Sequence, residues 1–321
     1  MTYSGYGAQA VGIANIAADG TVLDTWFPEP ALIPPDQAAH LSSGTQRLGA
    51  ADIPRSFLRL VLIDDDRRVE QVAVRTTIAD LGAHPIDAHD VYLRFHLLSH
   101  RLVEPLTINL DNSLRILSPV VWTNKGPCLP DNFESLRTSL RSRGLIHVYG
   151  IEKLPRMVDY VVPPDVMIAE AERVRLGAYL APGTRVLREG YVSFNSGSSG
   201  PSHIEGRLSS GTYIGADCML EASSSFMATR QDSNRMPVTM GNGCYIGNNA
   251  GAIGITLGDD CRVDPSIVIE PDTQLYDLAL DQRTTAASLD GRSHWRVHNS
   301  ADHNVPVISW GLTLRKPEVR V

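Results

Sequence analysis

His203, Glu205 and Arg207 alternate along the short stretch 203-HIEGR-207. A carboxylate can take a proton or attack a carbonyl carbon. A guanidinium can hold a carboxylate or a phosphate through two parallel hydrogen bonds. On an extended strand, residues two apart face the same side, so Glu205 and Arg207 can share one cleft. A carboxylate is a weak base at neutral pH unless partial burial raises its pKa, so the chemistry depends on what the rest of the chain builds around it.

Directly C-terminal to these residues the chain becomes repetitive. Leu208, Ile214, Leu220 and Phe226 stand six residues apart, and the ticks resume at Met240, Ile246 and Ala252. After one step of five come Leu257, Val263, Ile269 and Leu275, and upstream Val174, Leu180 and Val186 keep the same spacing. A helical period of 3.6 cannot sustain sixes over such a length. The repeat predicts a left-handed parallel β-helix in which each hexad forms one flat side of a triangular coil, with aliphatic ticks stacked inside. The residue four after a tick is small or aliphatic, as at Cys218, Cys244 and Cys261. Two polar stretches, 195–203 and 228–237, read as loops that interrupt the coil and carry function.

The chain before the coil reads as mixed α and β. Alternating apolar runs in 10–27 flank the turn pair Asp19-Gly20, a hairpin signal, and 69–78 reads as a strand. Val91, Phe95, Leu98 and Leu102 mark one face of a helix after Pro85. A second helix is expected over 131–143, capped by Asp131 and closed by Gly144. The run Asp64-Asp65-Asp66 reads as a solvated turn. The fold class is thus an α+β N-terminal domain (1–165), a left-handed parallel β-helix (166–275) and a short C-terminal β segment (276–321), whose clearest strand is 305–314.

Composition narrows the function. A net charge of −7 argues against a general nucleic-acid binder, which needs a basic face. No stretch approaches the roughly 20 apolar residues of a membrane helix, so no membrane partner is expected. The four cysteines show no zinc spacing and read as reduced thiols in a cytoplasmic protein. Coils of this kind are commonly trimeric acyltransferases using an acyl-coenzyme A, with sites in clefts between neighbouring coils. A γ-class carbonic anhydrase needs three imidazoles on successive coils, and between Val174 and Leu275 there is one histidine, His203. Carbonic anhydrase is excluded.

Several non-repetitive stretches carry a more specific likeness: 20-GTVLDTWFPEP-30, 93-LRFHLLSHRLV-103, 121-VWTNKGPC-128, 155-PRMVDYVVP-163, 173-RVRLGAYLAPGT-184, 205-EGR-207 and 257-LGDDC-261. Through them the chain resembles the tetrahydrodipicolinate N-succinyltransferases of actinobacterial type along nearly its whole length. The resemblance implies a homotrimer that moves a succinyl group from succinyl-CoA, as co-substrate, to an amino-dicarboxylate acceptor of lysine and diaminopimelate biosynthesis. It implies Glu205 as catalytic residue, acting as nucleophile or as general base. It implies Arg207 and Ser225 as ligand contacts, with Ala222 and Asn248 standing where the family carries glycine and alanine. Asp264 and Pro265 match another contact pair. Arg292, Arg296, Arg315 and Lys316 are phosphate candidates by charge alone. Glu172 and Glu189 match carboxylates near the trimer axis, where a structural Mg2+ is expected to offset their repulsion. His203 departs from the methionine of the family. Two other readings stay open: a paralogue with another amino-acid acceptor, and a non-catalytic trimeric scaffold.

Overall fold

The structure is a computed structural model describing residues 3–231 and 234–311. It divides into two compact units, Met1–Val162 and Pro163–Val321. Among the described residues no helix is long and apolar enough to cross a membrane.

In the first unit, strand Gly7–Ala17 pairs antiparallel with Val69–Ile78 from Ala8↔Ile78 to Ala17↔Val69. On its other edge it pairs with Val22–Trp26, so the hairpin about Asp19-Gly20 forms as expected. Asp19 Oδ1 accepts from the Thr21 amide at 2.9 Å, and Gly20 takes φ +91°, where a side chain would be strained. Helix Ala88–Ser99 begins at Asp87, whose carboxylate accepts from the Asp90 amide at 2.9 Å. Val91, Phe95 and Leu98 are buried, as the spacing predicts, but so is every other residue from His89 to Ser99; Leu102, expected on the same face, lies beyond the helix end and is half-buried. The polar ones are satisfied internally: Arg94 donates to Asp90 and to the carbonyls of Leu81 and Asn109.

Other expectations also fail here. The helix expected over 131–143 runs Phe133–Leu140, followed by a 3-10 turn at Arg141–Arg143 that ends at Gly144, φ +96°. Asp131 does not cap it; the N-cap is Asn132 in the left-handed region with no side-chain bond. Asp64 is not solvated either. It is buried and ion-paired with Arg67 and Arg143, the second of which lies 79 residues away. Pairing with two guanidiniums offsets the cost of removing its charge from water.

The second unit is a three-faced parallel coil. The first face stacks Met167–Ile168, Arg185–Val186, Ser202–Ile204, Cys218–Leu220, Tyr245–Ile246 and Arg262–Val263. The second stacks Tyr191–Val192, Arg207–Leu208, Ser225–Met227, Gly251–Ile253 and Val268–Ile269. The third stacks Ala178–Leu180, Ser196–Ser198, Thr212–Ile214 and Val238–Met240. The ticks lie inside as predicted: Val174, Leu180, Val186, Leu208, Leu220, Phe226, Ile246, Ala252, Val263 and Ile269 are all buried. The six-residue repeat is the signature of a left-handed coil.

The stretch 195–203 is not a loop. It supplies the walls Ser196–Ser198 and Ser202–Ile204, and the ticks run on through Val192, Ser198 and Ile204 without a break. Serines stand where aliphatics were sought, and their hydroxyls pair inside the coil. Ser198 Oγ lies 2.8 Å from Thr184 Oγ1, and Ser196 Oγ lies 3.0 Å from Thr212 Oγ1. Such pairing removes the cost of burying a hydroxyl. The second stretch does leave the coil, as a hairpin in which Thr229–Gln231 pairs antiparallel with Asn234–Met236. In the C-terminal segment, Trp295–His298 continues the first face beside Arg262–Val263, and Val307–Trp310 pairs with it antiparallel. Positions 312–314 of the strand expected there, with Arg315 and Lys316, lie outside the described residues.

Candidate active site

Each turn of the coil must pass from the first face to the second. Counting ticks locates that corner, and one instance is short. From Val186 to Val192, Leu220 to Phe226, Ile246 to Ala252 and Val263 to Ile269 the step is six residues; from Ile204 to Leu208 it is four. Only Glu205, Gly206 and Arg207 remain to turn it. The three later corners place Ser223, Asn249 and Ser266 at φ +59°, +55° and +64°; the Glu205 corner has no such residue. It closes instead by backbone bonds to the next coil. The amides of Glu205 and Gly206 both reach Leu220 O, at 2.8 and 3.2 Å, and the Arg207 amide reaches Ser224 O at 2.8 Å. A Cβ on Gly206 would lie 2.6 Å from Ser224 O, so glycine is required for this approach.

The register brings most of the predicted residues to this one edge. Glu172, Glu189, Glu205, Ala222, Asn248, Asp264 and Pro265 all lie on the corner from first to second face, on successive turns. Coils stack about 4.8 Å apart, so these positions form a ladder along the edge. Arg207 and Ser225 open the second face as register partners. Arg296 lies across the first face, paired with Arg262.

Glu205 is half-buried, and its carboxylate has no hydrogen-bond partner among the described residues. Arg207 is exposed and stacks its guanidinium 4.6 Å from the ring centre of Tyr191 on the preceding coil. No carboxylate pairs with it among the described residues. Tyr191 thus holds the arginine extended while leaving its N–H fork for a ligand. His203, on the outer side of the first face, has a buried Nδ1 with no partner among the described residues.

Other candidates are already engaged. Asp264 accepts from Arg262 Nε at 3.0 Å and from Arg296 Nε at 2.9 Å. Burial pushes its pKa up, but Arg296 and then Arg262 outweigh that and hold it below the usual carboxylate range. Arg296 is therefore committed to Asp264, while Arg262 also stacks over Tyr245 at 4.2 Å. The carbonyls of Ala222 and Asn248 accept from Asn249 N and Ser266 N of the next coil, at 3.1 and 2.9 Å. Pro265 covers Gly247, where a Cβ would lie 2.7 Å from the proline nitrogen. Arg292 stacks 5.0 Å from the Trp310 ring.

Glu172 and Glu189 are exposed, and Arg173 Nη1 donates to Glu189 O at 3.3 Å. Among the described residues no group of three His, Cys, Asp or Glu is placed to hold a metal ion. Cys218, Cys244 and Cys261 are buried free thiols. Their Sγ–H groups donate to Gly241 O, Gly258 O and Arg292 O at 3.1, 3.0 and 3.2 Å, a structural ladder. Sequence reasoning missed the Tyr191 platform and the shortened corner. The four-residue step from Ile204 to Leu208 was the available signal for the corner, hidden because Ser198 was not counted as a tick.

Comparisons with known proteins bear out the resemblance carried by the sequence. A family model described as "Tetrahydrodipicolinate N-succinyltransferase middle" matches residues 117–156, and "Hexapeptide repeat of succinyl-transferase" matches 237–270. A 2,3,4,5-tetrahydropyridine-2,6-dicarboxylate N-succinyltransferase of Salinispora tropica is 44% identical over 214 residues, 65% of this chain and 64% of that protein. Proteins of the same name from Pseudomonas paraeruginosa and Pseudomonas aeruginosa are each 42% identical, over 66% and 63% of this chain. The matched stretch spans 61% and 58% of those two relatives, so the chain covers less than two thirds of each relative's length. These sequence matches reach about two thirds of this chain, short of the nearly whole-length likeness expected from its motifs. A crystal structure of a provisionally assigned 2,3,4,5-tetrahydropyridine-2-carboxylate N-succinyltransferase from Campylobacter jejuni shares the fold. Its TM-score is 0.80 at 20% identity, over 97% of this chain and 93% of that one.

Proposed function

We propose that the chain is a tetrahydrodipicolinate N-succinyltransferase. It moves the succinyl group of succinyl-CoA to the amino group of ring-opened tetrahydrodipicolinate, L-2-amino-6-oxopimelate, in the diaminopimelate and lysine pathway. The observation that carries this reading is the two-residue shortening at Glu205. It sets an unpartnered carboxylate beside an arginine whose guanidinium is stacked on Tyr191 and left without a counter-ion.

The reaction joins an amine nitrogen to the thioester carbonyl carbon and breaks its C–S bond. As general base, Glu205 takes the proton the amine loses, and the departing thiolate of coenzyme A is protonated in turn. As nucleophile, Glu205 attacks the thioester, releases the thiolate and holds the succinyl group as a mixed anhydride; the amine opens it to restore the carboxylate, and the proton the amine loses balances the one the thiolate takes up, through solvent. Arg207 binds a carboxylate of donor or acceptor in either route. Ser225, its register partner on the next coil, lines the same start of the second face. Ala222, Asn248, Asp264 and Pro265 shape the edge below. Arg296 serves by fixing Asp264 rather than as a free phosphate clamp.

The cleft is completed by a neighbouring copy in a homotrimer, as the exposed corner and the unshared Arg207 suggest. Glu172 and Glu189, one turn apart on the same corner, fit an axial cation such as Mg2+ only if carboxylates of the other copies join them. Such an ion would offset their repulsion and take no part in the chemistry.

A different amino-acid acceptor is the second reading, favoured by the unpartnered Nδ1 of His203 beside the corner. Coenzyme A release with succinyl-CoA or acetyl-CoA, with and without tetrahydrodipicolinate, separates the cases. Acceptor-dependent release that prefers succinyl-CoA supports the proposal. Release that appears only with another amino acid would move it to the paralogue, and no release with any acceptor would leave a scaffold.

A further inference from the structure

We infer that the N-terminal unit carries a second small-molecule site, a recess that binds a small oxyanion (carboxylate or phosphate) between Arg67, Lys125 and Gln71. This inference does not rest on the proposed activity, and none of its residues belongs to the coil corner.

The recess has a volume of about 480 Å³, within the usual range for small-molecule pockets. Its floor is built from buried polar groups. Arg67 is 4% exposed, Asp64 5% and Asn15 8%. Arg67 Nε donates to Asp64 Oδ2 at 2.6 Å, and Nη1 donates to Asn15 Oδ1 at 3.1 Å and to Pro127 O at 3.3 Å. Its Nη2 has no acceptor among the described residues. Gly126, at φ +107°, is what lets the guanidinium lie there, because a Cβ would stand 2.3 Å from Arg67 Nη1. The stretch 121-VWTNKGPC-128 is thus shaped around Arg67, and it falls in the matched region 117–156, which the coil corner does not use.

Counting donors against acceptors gives the sign of the ligand. The lining carries Arg67, Arg143 and Lys125 against one carboxylate, Asp64. Asp64 is spent on Arg67 and on both terminal nitrogens of Arg143, while Asp66 takes Arg143 Nε. Even with Asp66 included, positive charge is in excess. Lys125 Nζ uses one proton on Arg143 O at 2.8 Å and keeps two, and the half-buried Gln71 amide has no protein partner among the described residues. Among the described residues the free groups are therefore the N–H donors of Arg67, Lys125 and Gln71, with the Gln71 amide oxygen as the one free side-chain acceptor beside them, and the site's carboxylate is already occupied. An oxyanion satisfies several of these donors at once through charge-assisted bonds. Leu62 and Ile63 at the recess, 44% and 73% exposed, offer apolar surface to any carbon chain the anion carries.

The test is calorimetric titration of the full chain with glutarate and, separately, inorganic phosphate, against sodium chloride at matched ionic strength. Lys125→Ala and Gln71→Ala alter side chains that are not fully buried and leave the Asp64–Arg67 pair in place; melting curves confirm that both fold. Saturable binding of at least one anion is expected, with a Kd of about 1 mM or tighter. It should weaken at least about tenfold in Lys125→Ala, weaken in Gln71→Ala, and persist in Arg207→Ala. Glutarate alone would assign a carboxylate ligand, and phosphate alone a phosphorylated one. The inference is overturned if neither anion binds beyond the chloride control. Binding unchanged in both recess variants, or lost in Arg207→Ala, overturns it equally.

Discussion

Replacing Gly206 by alanine tests the shortened corner directly. The new Cβ would meet Ser224 Oγ at 2.1 Å and Ser224 O at 2.6 Å. The hydroxyl can rotate away, and it has no hydrogen bond among the described residues to lose. The carbonyl cannot, because it accepts from the Arg207 amide at 2.8 Å, the bond that closes the corner. It must withdraw to at least about 3.0 Å, so adjoining coils separate by roughly half an ångström where Glu205 and Arg207 sit. Overpacking of this kind costs about 1–3 kcal/mol, and each kcal/mol lowers Tm by roughly 2–4 °C in a domain of this size. A misplacement of about 1 Å costs about 10²-fold in rate, so half of it should cost about tenfold. Thermal unfolding and coenzyme A release on the same preparation measure both effects. A variant with unchanged Tm and full turnover would refute the steric reading of the corner.

Other contacts set further expected outcomes. Arg207→Lys keeps the charge but loses the fork and the stacking on Tyr191; KM for the donor or acceptor should rise about tenfold or more, with kcat less affected, in initial-rate kinetics. Leu220→Ala, at a fully buried tick, should lower stability by about 2–5 kcal/mol in denaturant unfolding. His203→Met removes the buried Nδ1 that lacks a partner, so Tm should rise; a fall would mean that assembly supplies the missing partner. For Asp64, burial raises the pKa, but the hydrogen bonds of Arg143 and Arg67 outweigh it, and the carboxyl falls from 3.8 to about 2. Its folded value is depressed, so its contribution to stability is full above 3.8 and is lost as pH falls toward 2. The stability gap between wild type and Asp64→Asn should therefore shrink over that window, measured by melting from pH 6 downward.

The coil was legible because its aliphatic ticks recur by chain spacing alone, and strand 69–78 and the Asp19-Gly20 hairpin were legible for the same local reason. Ser198 and Ser196 hid the coil wall they share, since a hydroxyl counts as polar until its partner on a neighbouring coil is known. Asp64 looked solvated because Arg143, which buries it, lies 79 residues along the chain. Glu205 and Arg207 were visible as residue types. Their isolation from counter-ions was not, because it depends on which arginines the register assigns elsewhere: Arg262 and Arg296 go to Asp264, and Arg207 goes to Tyr191. Asp131 misled because a carboxylate before a helical run favours a cap, whereas Asn132 enters the left-handed region and starts the helix one residue later.

The central claim is that the Glu205 carboxylate carries the acyl transfer. Glu205→Gln keeps the shape of the side chain and removes its charge, so coenzyme A binding and oligomeric state should match wild type. Acceptor-dependent coenzyme A release should fall by at least about 10²-fold. In wild type, release without acceptor of about one equivalent per subunit would assign the nucleophilic route, and its absence the general base. Turnover by Glu205→Gln within a few-fold of wild type would contradict the account.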